Sequence, residues 1–139
     1  MREHLERFKE AHQRDYATAL AEIRSGRKKS HWMWYIFPQI AGLGMSYTAQ
    51  LYAIKDIEEA RQYIAHAVLG ARLIEISNAL LTLDCSDAAA VMGYPDDLKL
   101  RSCMTLFAQV SDDPVFDAVL AKFYGGTADA RTLELLSLT

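Results

Sequence analysis

Apolar residues recur every three or four positions at the start of the chain. Leu5, Phe8, His12, Tyr16, Ala19, Leu20 and Ile23 fall on one stripe, the pattern of an amphipathic helix. The stripe predicts a helix over about 3–25, closed by Gly26 as a left-handed residue just past its end. Ser30 is placed to cap a short helix or turn over 32–37, which Pro38 stops. Gly42 and Gly44 mark an irregular loop, and 46–54 reads equally as helix or as an extended piece. Asp56-Ile57-Glu58-Glu59 has the form of a capping box, with Asp56 as N-cap and Glu59 reaching back, and opens a helix to about 65. Leu69, Leu73, Ile76, Leu80 and Leu83 make the next stripe, a helix over 69–83. A short helix over 86–92 is stopped by Gly93, and Asp96 or Asp97 is placed to cap a helix to about 110. Asp112-Asp113-Pro114 reads as a cap followed by proline in the first helical position, with the helix running through 124 to Gly125-Gly126. A last helix over about 129–136 follows. Alternating period-two runs are scarce. The pattern predicts an all-α fold of about six to eight helices in one compact globular domain, residues 1–139.

Composition agrees with that picture. The 139 residues are 51% hydrophobic, enough for a self-sufficient core and too apolar for a disordered chain. Fifteen Lys and Arg against eighteen Asp and Glu give a net charge of −3, which argues against a protein that coats nucleic acid. Cys85 and Cys103 have no CxxC or metal spacing, and two free thiols fit a reducing compartment, so a cytoplasmic location is expected. The first residues lack the apolar run of a signal peptide, and no segment approaches the roughly 20 apolar residues of a membrane span.

Charge and aromatic chemistry concentrate in one stretch, Gly26-Arg27-Lys28-Lys29-Ser30-His31-Trp32-Met33-Trp34-Tyr35-Ile36-Phe37-Pro38-Gln39, which holds both tryptophans of the chain. Cations past a helix end favour the macrodipole by roughly 0.3–1 kcal/mol each, but Arg27 and Lys28 also suit a phosphate or carboxylate. Ser30 is a cap or a ligand contact. His31 is a core histidine or an acid–base group. Trp32 and Trp34, on different faces of a helix, are core residues or stacking surfaces. Gln39, before a glycine loop, offers a donor and an acceptor. Glu22, one turn before Gly26, is a surface carboxylate or a proton carrier in the same pocket. A second constellation runs from Pro95 to Ser102. There Asp97 is a cap or a general base, and Lys99 and Ser102 would assist anion binding at a helix start. A fainter one pairs His66 and Arg72 around a helix start. No GxGxxG, P-loop, HExxH, GxSxG or EF-hand pattern is present. His4 and His12 stand about 12 Å apart along one helix, too far to share a metal. Neither a metal nor a cofactor is expected.

The fourteen-residue run, with Gly42-Leu43-Gly44, resembles the small bacterial family known as domain of unknown function 1810. Tyr52-Ala53-Ile54, Glu59-Ala60, Tyr63, His66, Leu69-Gly70, Arg72-Leu73, Lys99-Leu100-Arg101-Ser102 and Met104-Thr105-Leu106-Phe107 also match, so the resemblance spans nearly the whole chain. Ala67 departs from it, since the family tends to have proline after the histidine. The resemblance implies a compact helical domain and carries no activity. Members are often labelled "calpastatin", an inhibitor that is disordered and repetitive, unlike this globular composition. A second likeness is to the NADAR superfamily, helical proteins linked to ADP-ribose and N-glycosidic chemistry. It rests on the order of Glu59-Ala60, Leu69-Gly70-Ala71-Arg72, Met104 to Phe107, Leu120-Ala121-Lys122-Phe123 and Thr132 to Leu136.

The expected function is a site for a phosphate-bearing small molecule, nucleotide-like or glycosidic, of the ADP-ribose or NAD type, with N-glycosidic hydrolysis as its chemistry. Lys28 and Lys99 would hold phosphate, Trp32 or Trp34 would stack, and His31, Glu22 or Asp97 would move protons. The alternative is a non-enzymatic interaction module anchored on Trp32, Trp34 and Arg27.

Overall fold

The computed structural model describes the backbone of residues 3–138 and the side chains of residues 5–138. Among them, nine helices follow in chain order: α1 (Glu3–Arg24), α2 (Met33–Ile36), α3 (Tyr47–Leu51), α4 (Ile57–Ala65), α5 (Leu69–Leu81), α6 (Ala88–Met92), α7 (Asp96–Ala108), α8 (Val115–Tyr124) and α9 (Ala130–Ser137). The fold is all-α, as the periodicity predicts. The count exceeds six to eight because two one-turn pieces, α2 and α3, are helical in their own right. The ambiguous stretch 46–54 takes both of its options. Ser46 caps α3 by accepting from the Ala49 N–H, and Ile54 then pairs in parallel with Ile40.

Helix ends follow local chemistry. Gly26 ends α1 at φ 86°, a left-handed value that favours glycine. Asp56, Asp87 and Asp129 cap α4, α6 and α9 with their carboxylates. The reach-back of Glu59 lands one residue early, on the Lys55 N–H at 2.9 Å. Two expected caps do not form. Ser30 makes no cap bond to α2, and neither Asp96 nor Asp97 caps α7, where Pro95 is the N-cap. The Ser30 hydroxyl is bound to Glu22 instead, and the Asp96 carboxylate to Lys28 and Lys99. Asp113 bonds the Val115 N–H at 2.9 Å across Pro114, which makes Pro114 the N-cap of α8 rather than its first residue. His66 receives the Val68 and Leu69 N–H groups on Nδ1, both at 3.1 Å, so it serves the start of α5.

α7 is the central helix. It contacts α8, α6, α9 and α4, while α5 packs on α1, α4 and α8. Ser102 through Phe107 are buried in unbroken succession, the mark of a helix surrounded on all sides. Phe107 lies 5.4 Å from the Tyr63 ring and 5.9 Å from Phe116, and Phe8 of α1 meets Tyr63 edge-on at 5.0 Å. Each fully buried aliphatic or aromatic side chain here stabilises the fold by roughly 1.5–3 kcal/mol over exposure. The corner between α4 and α5 bends by 84° and closes on Gly70, where a Cβ would stand 2.1 Å from the Ile64 carbonyl oxygen. No single described helix is long and apolar enough to cross a membrane.

Candidate functional site

The basic–aromatic stretch leaves α1 at Gly26 and folds back over the end of that helix. Glu22 organises the fold-back. Its Oε1 accepts from the Lys29 N–H (2.8 Å), the Ser30 N–H (3.0 Å) and the Trp32 indole N–H (2.9 Å), and its Oε2 from the Ser30 hydroxyl (2.6 Å). Burial pushes the Glu22 pKa up, but these bonds outweigh it and hold the carboxyl at about 2. Glu22 is therefore an anchor for the loop with both oxygens taken, where the sequence offers a surface carboxylate or a proton carrier. Ser30 spends its hydroxyl on the same anchor.

Lys28 is fixed at both ends. Its N–H donates to the Val91 carbonyl at 2.7 Å, tying the loop to α6. Its ammonium donates to the Ser30 carbonyl at 2.5 Å, pairs with Asp96 Oδ2 at 2.9 Å and lies 4.9 Å from the Trp32 ring. Lys99, one turn along α7, pairs with Asp96 Oδ1 at 2.9 Å and stands 4.1 Å over the Trp34 ring. Two ammonium groups, each backed by an indole, thus flank one carboxylate. Burial would raise the Asp96 pKa, but the bonds and charges of Lys28 and Lys99 prevail and hold it below the usual range.

Two grooves open on either side of this arrangement. The first, about 340 Å³, is lined by Lys28, His31, Met33, Trp34, Tyr35, Thr48, Asp96 and Lys99. The second, about 260 Å³, lies between the Gln39–Gly44 loop, α7 and the start of α9; Gln39, Leu43, Leu98, Ser102 and Arg131 are among its walls. Trp34 and Lys99 belong to both, forming the partition.

Of the residues predicted from sequence, Lys28, His31, Trp34 and Lys99 meet in the first groove, and Trp34, Gln39, Lys99 and Ser102 in the second. Trp32 is only 1% exposed and forms the floor under Lys28, so it cannot stack on a ligand. Trp34 carries Lys99 on its face, and Gly44 is pressed to its edge, where a Cβ would come within 3.2 Å of the ring and 2.6 Å of Ala49. The small residue at 44 thus serves packing, and it also lines the second groove. Arg27 lines neither groove. Asp97 also lines neither: its carbonyl accepts from the Tyr124 hydroxyl at 2.5 Å, and its Oδ1 is buried without a partner. The Ser102 hydroxyl donates to the Leu98 carbonyl at 3.1 Å. The carboxylate of the first groove is Asp96, which the sequence offers as a helix cap; its i,i+3 spacing to Lys99 is the signal that pairs them. Arg131 enters from α9, and no local pattern announces it. Among the described residues, no group of three or more His, Cys, Asp or Glu is placed to hold a metal ion. The His4 side chain, weighed with His12 for that role, lies outside the described residues.

The crystal structure of the conserved hypothetical protein Rv1873 from Mycobacterium tuberculosis is 46% identical and superimposes with a TM-score of 0.94, covering 97% of each chain. A comparison with curated proteins finds no match. The family profile described as "Protein of unknown function (DUF1810)" matches residues 2–136, and the chain belongs to that family.

Proposed function

We propose that the first groove binds the phosphate of a nucleotide-like or glycosidic small molecule. The observation that carries this reading is the pairing of Lys28 and Lys99 across a single Asp96. Two cations against one carboxylate leave a net positive charge in a walled groove. The Lys99 ammonium has only Asp96 as a hydrogen-bond partner among the described residues, so it has donors to spare for an anion. Thr48 and His31 add a hydroxyl and an imidazole at the rim. For the hydrolytic half of the expectation, the groove supplies His31 as its exposed proton carrier. Its carboxylate, Asp96, already has both oxygens bound by lysines. Binding therefore draws the stronger support. The interaction-module alternative loses an anchor in Trp32, whose buried ring presents nothing to a partner.

A thermal-shift titration with ADP-ribose, NAD, ribose 5-phosphate and pyrophosphate tests the reading. At a ligand concentration of about 100 Kd, stabilisation of roughly 2.7 kcal/mol is expected by mass action. Lys99→Met keeps an apolar stem over Trp34 and removes the charge; it should fold normally and lose the shift. Wild-type protein indifferent to every phosphorylated compound at millimolar levels would overturn the proposal.

A further inference from the structure

The second groove contains a polar group with no structural occupation. Gln39 is 7% exposed, and its Nε2 is sealed from solvent without a hydrogen-bond partner. A buried amide nitrogen left unpaired is destabilising, and an apolar residue of similar shape would remove that penalty. The backbone beneath it is fixed. The Ile54 N–H donates to the Gln39 carbonyl at 2.8 Å, and the Ala41 N–H to the Ile54 carbonyl at 2.8 Å, on either side of the Ile40–Ile54 bridge. The amide is thus mounted on a rigid frame rather than on a free loop. Around it the groove offers flat and apolar surface from Trp34, Leu43 and Leu98, with cations at Lys99 and Arg131. Its volume of about 260 Å³ lies below the range of sites for whole drug-sized ligands and suits a single ring system. Because Trp34 and Lys99 border both grooves, a molecule lying over Lys99 would place one end in each.

We propose that Gln39 is the specificity-determining residue of the second groove, its carboxamide turning over to bring the sealed nitrogen to a hydrogen-bond acceptor on a planar heteroaromatic or carboxamide group. That group is the non-phosphate end of the ligand whose phosphate lies beside Lys28 and Lys99, and in this respect the inference rests on the phosphate reading. A glutamine amide can turn either end toward a ligand, so an acceptor or an adjacent donor–acceptor edge would satisfy it.

The test uses uncharged probes, so that it does not depend on the phosphate. The Gln39 side-chain amide resonances are identified by their loss in Gln39→Leu, and adenosine and nicotinamide are titrated to millimolar levels. At least one is expected to shift those resonances, while ribose 5-phosphate shifts the Trp34 indole and leaves Gln39 in place. In Gln39→Leu, affinity for AMP should fall by about tenfold while that for ribose 5-phosphate is unchanged. The variant should melt at or above the wild-type temperature, since an unpaired amide is removed. Gln39 resonances unmoved by both adenosine and nicotinamide would overturn the inference, as would a melting temperature several degrees lower, which would make the amide structural. If phosphate compounds fail to bind while the uncharged probes still move Gln39, the phosphate reading falls and the Gln39 assignment stands.

Discussion

Glu22 illustrates how one side chain can account for a stretch of sequence that looks catalytic. Four donors converge on its two oxygens, two from the backbone of the following loop and two from the side chains of Ser30 and Trp32. Hydrogen bonds to a charged group contribute on the order of 1.5–3 kcal/mol. Glu22→Gln replaces an acceptor with a donor facing donors, so denaturant unfolding should show a loss of about 2 kcal/mol. A variant as stable as wild type would remove Glu22 from this role. The residue types of the site were readable from sequence, because lysines, indoles and an imidazole rarely cluster for packing alone. Their division of labour was not. Asp96 and Asp97 differ by one position, yet a helix turns about 100° per residue, and only the neighbours decide which carboxylate meets the lysines. In the same way, nothing local indicates that Trp32 faces inward and Trp34 faces the groove.

At the scale of elements, the helical stripes were legible because burial imposes a period. α1 and α5 begin where predicted and end within two residues of the expected position. Caps are legible where an aspartate has no competing partner, as at Asp56, and are lost where a stronger interaction claims the side chain, as at Ser30 and Asp96. The α4–α5 corner shows what a pattern of apolar positions does not reveal. Gly70 lies within a strong helical stripe, and the reason for a glycine there is the Ile64 carbonyl oxygen, 2.1 Å from the place a side-chain methyl would take. Gly70→Ala would ordinarily favour a helix by roughly 1 kcal/mol. Here it should instead destabilise the fold by about 2–3 kcal/mol through overpacking, measured as a lower denaturation midpoint. A neutral or stabilising effect would mean that the corner has room to open.

At the scale of the whole molecule, His12 links three elements. Its Nε2 donates to the Tyr35 carbonyl of α2 at 2.7 Å and lies 3.3 Å from the Tyr63 hydroxyl of α4. Burial, reinforced by the charges of Arg72 and His66 and opposed by the bond to Tyr35, lowers its pKa from 6.5 to about 4. The unfolded chain therefore takes up a proton there before the folded chain does. Stability attached to neutral His12 is complete above about pH 6.5 and is lost as pH falls toward 4, by roughly 3 kcal/mol at most. Glu22 adds a second window: its contribution is present above about pH 4.5 and is lost as pH falls toward 2. Unfolding free energies measured across this range should decline in two stages, and His12→Gln should remove the upper one; an unchanged upper stage would assign it elsewhere. The two indoles also give the protein its own optical gauge. Trp32 is enclosed and ought to emit steadily, whereas Trp34 sits under an ammonium that any incoming anion would draw away. A change in intrinsic fluorescence that vanishes in Trp34→Phe and survives in Trp32→Phe would report occupancy without any added label.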